Sequence, residues 1–418
     1  MRQLAAATLA ILFAWAPAQA QVTLAISCGA VGVEFQLCRE ASEAWARESG
    51  NRVQLVSTPS GSTERLALYQ QLLSAGSADI DVLQVDTIWP GILAGHLLDL
   101  SGRVDTTGVF PALVRNDTVD GRLVAMPWFT NAGVMYYRRD LLDQHGREVP
   151  ESWAEMEDTA RHVMQAERAA GNDRIWGYVF QGRAYEGLTV NALEWVASHG
   201  GGTIVAEDGS VTINNPNAVR AISQAAGWVG RIAPRGVLNY AEEEARGVFQ
   251  SGNAVFMRNW PYAWPLLNAP DSAVRGKVGV ALLPKGGADG QHSATLGGEQ
   301  LAVSRYSRHP DAAVDLVRYL TSAAEQKRRA VAGGFNPTLE ALYRDAEVLA
   351  ANPFFGDLYD SFVNAVVRPS GVTGSRYNQV SAEFWNAVHN VLSEQAEAPA
   401  ALARLDRNLR RVGRNGRW

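Results

Sequence analysis

The most constraining feature of this sequence is an alternation of short β-type runs with amphipathic helical stretches. Val22–Ser27 reads as a strand, and Val33–Glu48 as a helix carrying Leu37, Ala41, Ala44 and Trp45 on one face. Val53–Ser57 is a second strand. Pro59-Ser60-Gly61-Ser62 turns the chain into a helix over Thr63–Ser74, with Leu66, Tyr69 and Leu73 at helical spacing and Gly76 closing it. Asp81–Val85 is a third strand. This β-α-β-α-β order demands a parallel sheet with helices on its faces.

The same punctuation continues downstream. Asp120-Gly121 is a turn before Leu123–Pro127, Gly133–Tyr137 is a strand, and Ser152-Trp153-Ala154-Glu155 is a capping box opening a helix to about Ala170. Strands follow at Trp176–Phe180, Ala254–Arg258, Lys277–Leu282 and Leu301–Ser304, with helices at Leu188–Ser198 and from Asn215-Pro216. Beyond Pro310 the pattern predicts helices over 311–332, 353–366, 378–394 and 398–412. A chain of 418 residues is long enough for two or three packed units. No linker, repeat or low-complexity tract separates them, so the fold expected is α/β with two lobes. The chain would cross between the lobes by short hinge strands, creating a cleft of the kind that takes small ligands.

Composition narrows the function. With 47% apolar and 19% charged residues the chain is no disordered protein. A net charge of −5 disfavours nucleic acid as a partner. No internal run approaches the roughly 18–20 apolar residues of a membrane span. The N-terminus has the layout of a signal peptide over 1–20: Arg2, an apolar run from Leu4 to Ala16, and Ala18-Gln19-Ala20 before a mature start at Gln21. No Cys follows the cleavage site to carry a lipid. Cys28 and Cys38 are the two cysteines. Export permits a disulfide between the end of a strand and the second turn of the next helix; the alternative is two buried thiols.

Enzymatic signatures are absent. There is no G-x-S-x-G elbow, no phosphate loop, no dinucleotide fingerprint, no H-E-x-x-H and no calcium loop. The seven histidines are scattered singly, so no metal and no cofactor is expected. Two carboxylates set by the fold could still serve an exported glycosidase, with Asp86 and Glu299 the candidates.

Polar and aromatic residues recur at strand ends, where open α/β sheets bind ligands. Asn259-Trp260-Pro261-Tyr262-Ala263-Trp264 follows a strand. Its rings suit the apolar faces of a pyranose, although the same rings would equally serve a core. Glu34, Arg65, Asp86, Asn131 in the segment between two strands, Gly298 and Glu299 before Leu301, and Arg368 after a helix complete the set. The Gly297-Gly298 pair would let a ligand approach the backbone.

The whole mature chain resembles the extracellular solute-binding proteins of ABC sugar importers, of the trehalose/maltose-binding type (solute-binding family 1). The resemblance is carried by Ser77–Val82 with Asp86, Gly133–Leu142, Trp176–Gly187, Phe256–Trp264, Gly276–Pro284 and Ala294–Gly298. It implies two lobes closing on a sugar without catalysis. Lobe one is then expected over 21–130 and 299–335, and lobe two over 131–298, with the helices of 336–418 mostly on lobe two. By the resemblance Glu34, Arg65 and Asp86 bond sugar hydroxyls, Trp260 and Tyr262 stack and bond, Gly298 offers its backbone, and Arg368 contributes from the C-terminal region. Phe129 and Trp264 are further stacking candidates. Asn131 stands where the pattern has Asp, and Glu299 where it has Trp, which bears on how a second sugar unit is held. A carboxylate there also discourages anionic ligands. The implied setting is the periplasm, with an α-glucoside disaccharide or small glucoside as ligand, an inner-membrane permease and a chemoreceptor as partners, and a monomeric state. A non-sugar solute such as a polyamine is the other binding reading; it suits Glu34, Asp86 and Glu299 and is opposed by Arg65 and Arg368.

Overall fold

The computed structural model describes residues 21–418, apart from 288, 358, 360–364 and 415 and the Asp357 side chain. The predicted signal peptide, 1–20, lies outside the described residues. The strands are Thr23–Cys28 (β1), Arg52–Ser57 (β2), Val82–Asp86 (β3), Thr118–Val119 (β4), Arg122–Leu123 (β5), Met126–Ala132 (β6), Val134–Arg138 (β7), Trp176–Val179 (β8), Ala254–Asn259 (β9), Val278–Ala281 (β10) and Leu296–Val303 (β11).

They form two main sheets. The first has the order β2-β1-β3-β11-β6 and the second β10-β7-β9-β8. β1 pairs in parallel with β2 and β3, as the alternating pattern requires, whereas β11 runs antiparallel between β3 and β6. In the second sheet β8 and β9 are parallel and β7 is antiparallel to both β9 and β10. β4 and β5 form a small hairpin whose turn, Asp120-Gly121, has φ of 50° and 75°. A two-residue hairpin turn needs positive φ at both positions, which Asp and Gly tolerate.

The chain crosses between the sheets at Gly133, returns between β10 and β11, and crosses again between the Ala323–Gly333 and Tyr377–Leu392 helices. The helices Pro310–Leu320 and Ala323–Gly333 pack on Glu34–Ser49, beside the first sheet. The helices Tyr377–Leu392 and Ala398–Val412 pack on Glu186–Ser198 and Pro216–Trp228, beside the second.

Each face of the first sheet carries its own apolar layer. Leu301 and Val303 point into one with Leu24, Ile26 and Trp45, while Ala302 points into the other with Leu83, Val85 and Trp89. This is the period of two expected of a strand covered on both faces. The second lobe buries Trp153, Trp195 and Trp228 around Tyr178, with indole centroids 5.3–5.6 Å apart in successive contacts. Many of the tryptophans therefore build the core rather than a ligand surface.

Several boundaries differ from the sequence expectation. The Ser152 capping box forms with both arms. The helix predicted over 311–332 is broken at Thr321-Ser322, where the Ser322 hydroxyl accepts from the Glu325 N–H at 3.4 Å and starts a new helix. Ser322-Ala323-Ala324-Glu325 is itself a capping-box sequence. Of the helix predicted over 353–366, the described residues show Phe354–Asp357 and Tyr359 as helical. Val366 instead bridges to Thr295, at a lobe crossing. The segment Leu296–Glu299, expected to precede a strand, is the first half of β11, and Asn131, expected between strands, lies inside β6.

Cys28 and Cys38 are joined by a disulfide that ties the end of β1 to the Glu34–Ser49 helix. Closing so short a loop constrains the unfolded chain, so replacing both cysteines by Ser should lower stability by about 2–3 kcal/mol. Urea denaturation of the variant, or of the wild type with and without reductant, measures this; unchanged midpoints would show that the link carries no stability.

Candidate ligand-binding cleft between the lobes

Between the sheets lies a cavity of about 100 Å³. It is lined from the first lobe by Val31, Glu34, Ser60, Ser62, Arg65, Asp86, Phe129, Asn131, Gly297, Gly298, Glu299 and Phe335. Tyr185, Glu186, Gly187, Val190, Glu242, Trp260 and Tyr262 line it from the side of the second sheet, and Arg368 from the C-terminal region. Glu34, Arg65, Asp86, Phe129, Asn131, Trp260, Tyr262, Gly298, Glu299 and Arg368 are thus brought together. Trp264 is not: it lies outside this lining, its indole N–H donates to the Ala351 carbonyl at 3.1 Å, and its ring packs edge-on against Phe354.

β3 and β11 supply the acidic wall. In the antiparallel register Glu299 stands opposite Asp86 on one side and Phe129 on the other. A register shift follows between Glu299 and Gln300, and Gly298 has φ of +127°. A Cβ at Gly298 would come within 2.4 Å of the Phe129 carbonyl oxygen, so this bend needs glycine. A Cβ at Gly297 would meet the Trp260 ring at 2.8 Å. The glycine pair thus admits a side chain of the opposite lobe as well as lining the cavity.

Each acid of the wall has a guanidinium. Arg65 bonds Glu299 through one nitrogen, Nη2, and stacks 5.0 Å from the Trp89 ring. Arg368 Nη2 donates to Asp86 at 3.2 Å and to the Leu296 carbonyl at 3.2 Å, while its Nη1 donates to Glu186 at 2.9 Å. Glu186 also accepts from Tyr377 at 2.5 Å and Ser381 at 2.6 Å. Burial pushes the Glu186 carboxyl up, against the opposing pull of Arg368. Glu34 accepts from the Gln84 amide at 2.6 Å, and Gln84 in turn accepts from the Gly29 N–H at 2.6 Å.

The other walls are aromatic. Trp260 carries the Arg258 guanidinium 4.0 Å from its ring centroid. Arg258 is fully buried and doubly bonded to Glu194, at 2.9 Å from Nε and 2.6 Å from Nη2. The Tyr262 hydroxyl donates to Glu243 and that of Tyr185 to Glu242, each at 2.7 Å. Phe129 and Phe335 pack at 4.8 Å, backed by the buried Arg329, which lies 3.8 Å from the Trp128 ring, 4.5 Å from Phe335 and 5.0 Å from Phe129. Its three guanidinium nitrogens have no hydrogen-bond partner among the described residues. Burial pushes its pKa down to about 10.

Four further buried atoms on lining residues lack a hydrogen-bond partner among the described residues: Glu299 Oε2, Asn131 Oδ1, Arg65 Nε and Arg368 Nε. Two are acceptors and two are donors. The sequence did not single out Tyr185, Glu186 or Glu242. A signal existed for Glu186, since the Glu186–Ser198 helix is buried along its whole length and Glu186 and Glu194 are its only charged residues.

Two outcomes follow from these charges. Burial pushes the Glu299 carboxyl from 4.5 up to about 8; Arg65 opposes this, while Asp86 and Glu34 add to it. Between those two pH values the folded chain holds a proton that the unfolded chain has lost, so stability falls as pH rises. The difference in thermal midpoint between wild type and Glu299→Gln should therefore shift against the wild type from pH 5 to 8; parallel profiles would contradict it. Separately, Glu194→Ala strands a buried guanidinium and should cost about 3–5 kcal/mol in urea unfolding. A loss below 1 kcal/mol would remove the pair from the core of the fold.

Comparison with known proteins agrees with this geometry. Residues 37–327 match the family described as bacterial extracellular solute-binding protein. A probable ABC transporter-binding protein of Deinococcus radiodurans is 50% identical over 412 residues, which cover 98% of each chain. Maltose-bound MalE3 of T. maritima superposes with a TM-score of 0.89 at 38% identity, covering 94% of this chain and 100% of that one. The GacH receptor of Streptomyces glaucescens, solved unliganded and with acarbose, shares the fold with a TM-score of 0.83 at 23% identity, over 94% of this chain and 99% of its own. The chain belongs to the bacterial extracellular solute-binding protein family, and is a two-lobed binding protein rather than an enzyme.

Proposed function

We propose that this chain is the periplasmic solute-binding component of an ABC importer. It binds a neutral α-glucoside, either a disaccharide of the trehalose/maltose kind or a smaller glucoside, in the cleft and delivers it to an inner-membrane permease. One observation carries the choice of ligand. Among the described residues, the cavity lining holds two unpartnered buried acceptors, Asn131 Oδ1 and, when the carboxyl is ionised, Glu299 Oε2, and two unpartnered buried donors, Arg65 Nε and Arg368 Nε. An ammonium group satisfies acceptors alone and a carboxylate or phosphate satisfies donors alone, whereas a hydroxyl does both. The formal charge of the lining points the same way. Five carboxyl groups face two guanidiniums, and acids outnumber bases even with Glu299 protonated, which disfavours an anion. It would favour a polyamine, but a polyamine leaves both arginine Nε atoms buried and unbonded, a cost of about 1–3 kcal/mol each.

Trp260 lines the cavity and offers an indole to the apolar face of a pyranose. The similarity to maltose-bound MalE3 supports a glucoside. The space of about 100 Å³ between the lobes is partly open to solvent and small for a disaccharide, so a disaccharide would be taken up with the lobes further apart. Contacts to both lobes make the ligand select the closed form, and that form is what the permease, and a chemoreceptor, would recognise. The chain acts as a monomer, exported by the signal peptide of residues 1–20.

A thermal-shift screen against neutral mono- and disaccharides, glucuronate and spermidine tests the reading. A neutral glucoside at about 100 times its Kd should stabilise the chain by roughly 2.7 kcal/mol, with no response to glucuronate. A response to spermidine and to no sugar would overturn it. Trp260→Ala should weaken the best sugar more than tenfold in calorimetry, and Asp86→Asn should weaken it as well. Unchanged affinity in both variants would move the site elsewhere.

A further inference from the structure

The protein contains two kinds of buried arginine–carboxylate pair, and the difference between them is informative. Arg258 and Glu194 form a two-pronged contact, and both prongs are used. That is the geometry expected of a pair that serves the fold. Arg65 is as buried as Arg258, while the Glu299 side chain keeps 14% of its surface exposed; the two meet through one nitrogen and one oxygen, leaving Arg65 Nε and Glu299 Oε2, both buried, without partners among the described residues. A pair that served stability alone would have closed the second prong.

The backbone around Glu299 strengthens the contrast. Residues directly opposite in an antiparallel sheet project to the same face, so Glu299 stands beside a second acid, Asp86. It does so on a strand with a register shift immediately after it and a glycine at φ of +127° immediately before it. Irregularities of this kind re-aim side chains beside functional sites. The segment bears an acid next to an acid, inside a bend that only glycine permits, and among the described residues one carboxyl oxygen of Glu299 and the Nε of its partner Arg65 bond nothing.

We propose that Glu299, oriented by Arg65, is a specificity-determining residue: with its carboxylate ionised, the pair grips one hydroxyl of the bound ligand, Glu299 Oε2 accepting a hydrogen bond from it and Arg65 Nε donating one to its oxygen. This rests on the reading of the cleft as a sugar site. The hydroxyl completes both open prongs at once. A ligand lacking it leaves a donor and an acceptor buried and unbonded, which is the condition under which binding sites reject an analogue most strongly.

Calorimetry at about pH 9, where the Glu299 carboxyl is ionised, with the tightest-binding neutral glucoside and its monodeoxy derivatives provides the test, on wild type and Glu299→Gln. The amide keeps the volume and one carbonyl oxygen but turns the other acceptor into a donor. In the wild type one deoxy derivative should lose at least 100-fold in affinity and the others much less. In Glu299→Gln the parent sugar should lose at least tenfold, and that deoxy derivative should then bind within threefold of the parent. Parent binding within twofold of wild type, or the same deoxy penalty in both proteins, overturns the proposal while leaving the sugar site intact. If the ligand-free thermal midpoint shows that the variant is unfolded, the wild-type series decides alone: small, uniform losses at every hydroxyl overturn the proposal. Binding of no neutral glucoside by the wild type defeats the sugar reading and this inference with it.

Discussion

The buried Arg258–Glu194 pair is the interaction on which the cleft depends. Both groups are withdrawn from water, and such a pair persists only when its hydrogen bonds are nearly complete. Completion comes from the surroundings that the cleft needs. The Gln181 amide oxygen accepts from Arg258 Nη1 at 3.2 Å, and the Thr295 N–H donates to Glu194 at 3.2 Å. Thr295 lies at one lobe crossing. Gly133 lies at another, where a Cβ would meet the Glu194 carboxylate at 2.3 Å and the Arg258 guanidinium at 2.5 Å. The pair is therefore clamped between two crossings, and the same guanidinium covers one face of Trp260. Hinge geometry and the position of the stacking ring are fixed by one set of hydrogen bonds.

The cleft itself is built on the opposite principle. Its charged groups are paired only in part, and the residues with incomplete bonds line one cavity. Arg65, Arg368, Glu299 and Asn131 each retain a buried atom with no bonding partner among the described residues. The fold tolerates this because the surrounding structure is strongly determined: β11 is held by β3 and β6, Arg65 rests on Trp89, and Phe129 and Phe335 are backed by Arg329. Rigid walls with open polar valences are a preorganised site, where a ligand supplies bonds without the protein having to order itself.

Much of the architecture was legible beforehand. The period of the apolar residues located β1, the Glu34–Ser49 helix, β2, the Ser62–Ser74 helix and β3 to within a residue or two, because each buries a face against its neighbours. Cap chemistry marked the starts at Ser152 and at Asn215-Pro216 for the same local reason. Expectations failed where pairing rather than propensity decided. Gly297 and Gly298 carry no β preference, yet they are strand residues because β3 and β6 offer bonding partners on both sides. The Ser322 cap was visible in sequence and was hidden by the continuous helical pattern on either side of it. Trp264, grouped with Trp260 by proximity in the chain, turns into a helix and packs on Phe354.

The sequence by itself determined the alternation of strands and helices, the two-lobed class and most of the residues that meet in the cleft, since strand ends and their polar loops are local features. Tertiary structure alone decided which carboxylate meets which guanidinium, that Glu186, Tyr185 and Glu242 join the site, and which atoms are left without partners. The reason is range. Arg65 and Glu299 are separated by 234 residues, and Arg368 and Asp86 by 282. No periodicity reaches across such distances. Their meeting is set by the order of strands in a sheet and by the lobe crossings, which bring remote segments of the chain to one cavity.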